Sequence, residues 1–210
     1  MQKHDKDNLR TILCGAAGFL ACAVIYLILI ASCIWQSHYG VESETAIEWV
    51  QDIVLGAAAL IFYAIAAKLP AERGGLLLIA GFLTSLFIRE QDAYFDLIRH
   101  GAWKYFLIAY LAVLFWRVGR RGLSEALEGL AQFVRSKAFI TMLAGVGMLL
   151  VYSRLYGSEQ YIWSLFIEEP GPRIAKRLSE ESMELMSYAL MLISAGSYYA
   201  ARILSGTARR

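Results

Sequence analysis

The sequence predicts an all-α polytopic membrane protein, a six-transmembrane-helix bundle with an amphipathic helix on its inner face. Three observations predict it. The 210 residues are 58% hydrophobic and only 18% charged, whereas soluble domains are about 45–50% apolar and about a quarter charged. Thr11 to Trp35 runs 25 residues without a charge, long enough to cross a hydrocarbon core of ~30 Å. The basic residues gather on alternate connections, as expected when cytoplasmic loops retain Lys and Arg.

The chain reads as one membrane domain over 1–210, with spans near 11–35, 46–68, 74–100, 102–117, 138–156 and 181–204. A backbone in lipid must satisfy its own hydrogen bonds, so these are helices, and no barrel-like alternation is visible. The first run is too long for the apolar part of a signal peptide. Ile30-Ala31-Ser32-Cys33 loosely resembles a lipoprotein cleavage box, which leaves lipidation of Cys33 as an alternative. Cys14, Cys22 and Cys33 otherwise read as small apolar fillers, with no Cys-x-x-Cys among them. The second and third spans meet at the tight turn Leu69-Pro70-Ala71-Glu72-Arg73-Gly74.

Two connections are long enough to fold. In 123–136, Leu123, Leu127, Leu130 and Val134 recur at helical spacing with Glu125, Glu128 and Arg135 off the stripe, so this segment should lie in the inner headgroup plane. The outer loop 157–180 carries Tyr161, Trp163, Leu165, Phe166 and Ile167 before Glu168-Glu169-Pro170-Gly171-Pro172. Its apolar part is expected to dip into the interface, and the Pro-Gly-Pro to turn the chain back.

With the N-terminus inside, thirteen of the twenty Lys and Arg fall on the inner side and thirteen of the eighteen Asp and Glu on the outer side. The basic count sets the expected topology, a plasma (bacterial inner) membrane protein with both termini cytoplasmic. The acid asymmetry is separate information, and it bears on function. The net charge of +2 and the scattered basic residues give no nucleic-acid footprint. No Gly-x-Ser-x-Gly, His-Glu-x-x-His, phosphate loop or dinucleotide fingerprint occurs. The expected partners are the lipid bilayer and a membrane protein or second copy of the chain.

The uncharged cores of several spans are short. Ile53–Ala67 and Gly74–Ile88 have 15 residues each and Tyr105–Trp116 has 12, which at 1.5 Å per residue covers only about 18–23 Å. Charged ends must therefore approach membrane depth, where ionisable groups face a bundle interior or a wet cavity. At the outer ends these are mostly acids. Glu48 and Asp52 lie one turn apart, as do Glu181 and Glu184. Asp92, Asp96 and His100 form an i, i+4, i+8 stripe on the third span, with Arg89 and Lys104 as charge partners. Acids this close share protons, pair with cations or bind a metal. A carboxylate-rich pocket with one His suits a divalent metal such as Mn, Fe, Zn or Ca, so Asp92, Asp96, Glu48, Asp52, His100, Glu181 and Glu184 are the candidate ligands. Local explanations compete. Glu48 follows a capping-box-like Thr45, Glu181 and Glu184 lie in early turns of their helix, and Arg99-His100-Gly101 looks like an ordinary helix end. Asp92 and Asp96 fit no such explanation, since they lie near a helix C-terminus, where acids are disfavoured.

Three functions are open on this evidence: a protein that binds or conducts a cation, metal or protons; a membrane-embedded metal-dependent enzyme acting on a lipid-type substrate; and a non-catalytic accessory subunit or assembly factor of a membrane complex.

Overall fold

A computed structural model describes residues 46–158, 162–167 and 171–204, together with part of 12–35. The described positions between Ile12 and Trp35 are helical. Thr11, Thr45 and the three cysteines lie outside the described residues, and with them the capping reading at Glu48 and the lipidation reading at Cys33.

Among the described residues every regular element is helical. The order is α1 Ala46–Lys68, a 3₁₀ turn Pro70–Glu72, α2 Arg73–Glu90, α3 Asp92–Asp96, α4 Trp103–Gly119, α5 Leu123–Val134, α6 Lys137–Gly147, a π turn Met148–Tyr152, α7 Ser153–Tyr156 and α8 Gly171–Tyr199, which ends in a second π turn, Ala200–Leu204. A 3₁₀ turn also spans Trp163–Leu165.

α1 lies between α2 and α8; α4 packs on the far side of α2 and α6 on the far side of α8. The reason is a buried stripe at helical spacing along α1: Ile47, Gln51, Leu55, Ala58, Phe62 and Ile65. It meets Leu76, Ile79, Ala80 and Leu83 of α2 and Tyr188, Met191, Ala195 and Tyr198 of α8. Ile53 and Leu60, on other faces of α1, are exposed. At the Lys68 end Phe62, Phe133 and Tyr198 form an aromatic knot, with the Phe62–Phe133 centroids 5.4 Å apart edge to face and Phe133–Tyr198 5.2 Å apart.

Three helices are long and apolar enough to cross a membrane: Ile47–Lys68, Pro70–Glu90 and Lys137–Tyr156. Six such helices are not found among the described residues. The expected fourth span is a helix of 17 residues, α4. The expected sixth is helical but too polar, because α8 uses polar side chains in its packing. Ser187 and Ser194 are fully buried; Ser194 Oγ donates to Ala138 O at 2.8 Å and Ser187 Oγ to Met183 O at 2.6 Å. α8 also starts at Gly171 rather than near Glu181. Gly171 and Pro172 open the helix, since Pro is tolerated in a first helical turn, where its missing N–H costs nothing; Glu168 to Pro170, and with them the expected reversal, lie outside the described residues. The third span ends at Glu90 instead of continuing to His100, since Gln91 (φ −81°, ψ 14°) breaks the helix.

α5 is the expected amphipathic helix, but it has two apolar faces. Ala126, Gly129 and Phe133 are buried, whereas Leu123, Leu127 and Val134 of the anticipated stripe stay exposed. The buried face crosses the start of α2 at backbone contact. A methyl group added at Gly75 would sit 2.6 Å from Ala126 O, and one at Gly129 would sit 3.0 Å from the Gly75 Cα. Only glycine permits that approach. Gly75→Ala and Gly129→Ala should each lower stability by about 1–3 kcal/mol through overpacking, whereas Gly147→Ala, with open space at its Cβ position, should leave thermal unfolding in detergent unchanged or slightly raised.

Candidate functional site

The Glu90 end of the bundle opens as a cleft of about 270 Å³ between the first turns of α1, the end of α2 with α3, and the N-terminal half of α8. Each element places its acids by helical register. On α1, Glu48 and Asp52 each follow a stripe residue, Ile47 and Gln51, and so lie half-buried at the edge of the packing face. On α2, Glu90 continues the buried series Leu76, Ile79, Leu83 by two further turns. On α8, Glu181 and Glu184 are buried and Glu180 half-buried. Asp92 reaches the cleft from the first turn of α3. Seven carboxylates therefore line the cleft, with two guanidiniums, Arg89 and Arg177, and two aromatic residues, Trp49 and Tyr94.

Ion pairs and hydrogen bonds hold this arrangement across helices. Arg177 Nε donates to Glu181 Oε1 at 2.7 Å along α8, and its Nη2 reaches Glu48 Oε1 on α1 at 3.4 Å. Arg89 Nη1 lies 2.6 Å from Glu90 Oε1, which also accepts from Tyr188 Oη at 2.8 Å. Gln91 Nε2 donates to Asp52 Oδ1 at 2.6 Å. Gln51, buried in the α1 stripe, donates Nε2 to the main-chain oxygen of Glu181 at 2.9 Å. From α7, Arg154 approaches Glu180 at 3.4 Å and Glu184 at 3.7 Å, while Ser153 Oγ donates to Glu184 Oε1 at 3.2 Å. The wide π turn before α7 leaves both Leu149 and Ser153 buried.

Of the residues singled out from sequence, Glu48, Asp52, Asp92, Glu181, Glu184 and Arg89 come together here. Asp96, His100 and Lys104 do not line the cleft. The i, i+4, i+8 stripe presupposed one continuous helix, and the break at Gln91 removes it. Asp96 instead closes a local turn. Its Oδ1 accepts from the Gly101 N–H and its Oδ2 from His100 Nδ1, both at 2.8 Å, with the His100 side chain 98% exposed. Gly101, in the turn between α3 and α4, has φ +76°, a conformation that glycine adopts without strain. Among the described residues no three of His, Cys, Asp and Glu converge in a way that could hold a metal ion.

Sequence reasoning missed Glu90, Arg154, Arg177 and Gln51 as parts of this site. Glu90 was legible, because it stands on the α2 register of Leu83 and Leu76. Arg177 was not, because Pro-Gly-Pro conceals that the helix already begins at Gly171, before it.

Tyr188 is fully buried, so Tyr188→Phe should cost about 1.5 kcal/mol for the lost hydrogen bond to a charged acceptor, read by chemical denaturation. The Asp96 carboxyl titrates below the ordinary carboxylate range, first because of the Gly101 N–H and then because of His100. A depressed folded value stabilises the turn at pH above the unfolded value and is lost as pH falls through the folded one. The protection factor of the Gly101 amide, its exchange rate relative to that of an unstructured amide at the same pH, should therefore hold through the ordinary carboxylate range and fall only below it; Asp96→Asn should remove that pH dependence of the protection.

Compared with protein-family models, curated proteins and solved structures, the chain matches none.

Proposed function

We propose that this chain is a multi-pass membrane protein whose outward-facing carboxylate cleft binds or conducts a cation. The reading has six spans, both termini on the cytoplasmic side of a plasma (bacterial inner) membrane, and the cleft at the outer ends. In it the first apolar segment, α4 and α8 join the three long apolar helices as crossings. α4, at 17 residues or about 26 Å of helix, spans with modest local thinning.

The observation that supports the reading is charge imbalance in a confined volume. Seven carboxylates meet Arg89 and Arg177 at the cleft wall and Arg154 behind it, so acids exceed bases by more than two to one. Confined like charges raise the local concentration of counter-ions. The geometry favours a hydrated cation, an organic ammonium or protons over a tightly coordinated bare metal, since no three ligands converge among the described residues. Trp49 and Tyr94 on the rim suit an ammonium group, which is attracted to aromatic faces.

A second reading has one specific observation in its favour. Arg177 bridges α1 and α8, and Arg154 bridges α7 and α8, as in a structural clasp of an accessory subunit. The enzyme reading loses its imidazole, since His100 is paired with Asp96 away from the cleft.

Cation titration of the reconstituted protein separates the two. Asp52→Asn and Asp92→Asn should each weaken binding of a small alkylammonium or a divalent cation by about tenfold, while Asp96→Asn, outside the cleft, should bind like the wild type. Wild-type affinity in both cleft variants, or an equal loss in all three, would sink the cation reading. Loss of thermal stability in Arg177→Gln without any cation dependence would support the clasp.

A further inference from the structure

A second cavity lies at the opposite end of the bundle, at the Lys68 end of α1, the start of α2 and the end of α4. Its volume is about 660 Å³. We propose that it binds the phosphate of an anionic phospholipid. Among the described residues four arginines line it, Arg73, Arg117, Arg120 and Arg121, and no carboxylate does. Guanidinium groups recognise phosphate oxygens through paired, charge-assisted hydrogen bonds.

The arginines are held in different ways. Arg73 donates Nε to Ala66 O at 2.8 Å and Nη2 to Ala67 O at 3.1 Å, so it closes the end of α1 and is fixed at the cavity wall. Arg120 stacks over Trp116 at 4.6 Å from the ring centroid. Arg121 sits 3.7 Å from Glu125, whose carboxylate also accepts the Gly74 N–H at 3.0 Å. Arg117 has no ion-pair partner among the described residues. Of the four guanidiniums, one is thus fixed by the main chain, one by a ring, one leans on a carboxylate, and one is uncommitted.

Three features point to a lipid rather than to free phosphate. The volume falls in the range of about 300–1,000 Å³ that encloses a sizeable organic ligand and far exceeds what a phosphate ion fills. The inner wall is apolar, with Ala66, Ala67 and Leu77, and the Tyr63 hydroxyl there is already taken by Tyr110 Oη at 2.6 Å and Thr84 Oγ1 at 3.1 Å. Glycerol and acyl carbons therefore meet no unsatisfied polar group. Arg73 also opens one of the three long apolar helices, and the other arginines stand at the end of α4 beside it, the level of the membrane headgroup layer if these helices cross as proposed above. Beside them α5 exposes Leu123 and Leu127, an apolar edge suited to the acyl layer.

The test is lipid retention by the full-length protein in neutral detergent, read by native mass spectrometry with phosphatidylglycerol and phosphatidylcholine in separate titrations. Phosphatidylglycerol should be retained and phosphatidylcholine released. Arg117→Gln combined with Arg120→Gln should cut phosphatidylglycerol retention about tenfold. Arg99→Gln, an exposed arginine at the other end, should not. Both cavity side chains are exposed, so thermal unfolding should be unchanged, and Arg117→Gln alone serves if the double variant unfolds. Equal retention of the two lipids, or retention indifferent to the double variant, would overturn the proposal. Displacement of phosphatidylglycerol by inorganic phosphate at matched concentration would assign the cavity to free phosphate and overturn the lipid assignment.

Discussion

The interdigitation of α1 with α2 and α8 is the contact from which the rest of the molecule takes its positions. One face of α1 is buried from Ile47 to Ile65, and between membrane-crossing helices such a contact is held by close van der Waals packing and interhelical hydrogen bonds rather than by removal of apolar surface from water. Register along that face decides which residues stand beside it. One step round the helix from Ile47 and Gln51 come Glu48 and Asp52 at one end; one step from Phe62 comes Tyr63 at the other. A slip of one residue in α1 would rotate all of these by about 100° and dismantle both cavities together.

α8 braces α2 at both of its ends by the same device. Tyr188 donates to Glu90 and Tyr198 donates to Glu72, ten residues apart on α8 and eighteen apart along the strut they brace. Each glutamate also has a guanidinium, Arg89 beside Glu90 and Arg202 beside Glu72. Burying a carboxylate costs several kcal/mol unless its lone pairs are satisfied, and here a phenol and an arginine share that task at either end. At the Lys68 end a further tie joins α1 to α8, Lys68 Nζ donating to Tyr199 Oη at 2.8 Å.

Much of this was legible in the sequence, and the omissions have physical causes. Uncharged runs identify α1 and the helix from Lys137 to Tyr156 almost to the residue, because length and hydropathy are local properties. The amphipathic period of α5 is equally local. Its buried face was not legible, because Ala126 and Gly129 carry little hydrophobic signal and matter only through the backbone approach of Gly75. The break at Gln91 was invisible for the opposite reason: no Pro or Gly marks it, so Asp92 and Asp96 read as one stripe. α8 was misjudged at both levels. Its start hides behind Pro-Gly-Pro, and its serines and tyrosines lower its hydropathy while serving as interior contacts. Five acids of the cleft, Glu48, Asp52, Asp92, Glu181 and Glu184, and the cation Arg89 are legible by spacing, but Arg154 and Arg177 are brought near them only by the folded arrangement.

Gln51 reaches across to the main chain of α8 at Glu181, and not to that residue's carboxylate. A peptide oxygen is present whatever amino acid occupies the position. The strap between these two helices therefore survives any helix-compatible replacement at 181, and the electrostatic character of the cavity can drift over generations without the walls coming apart.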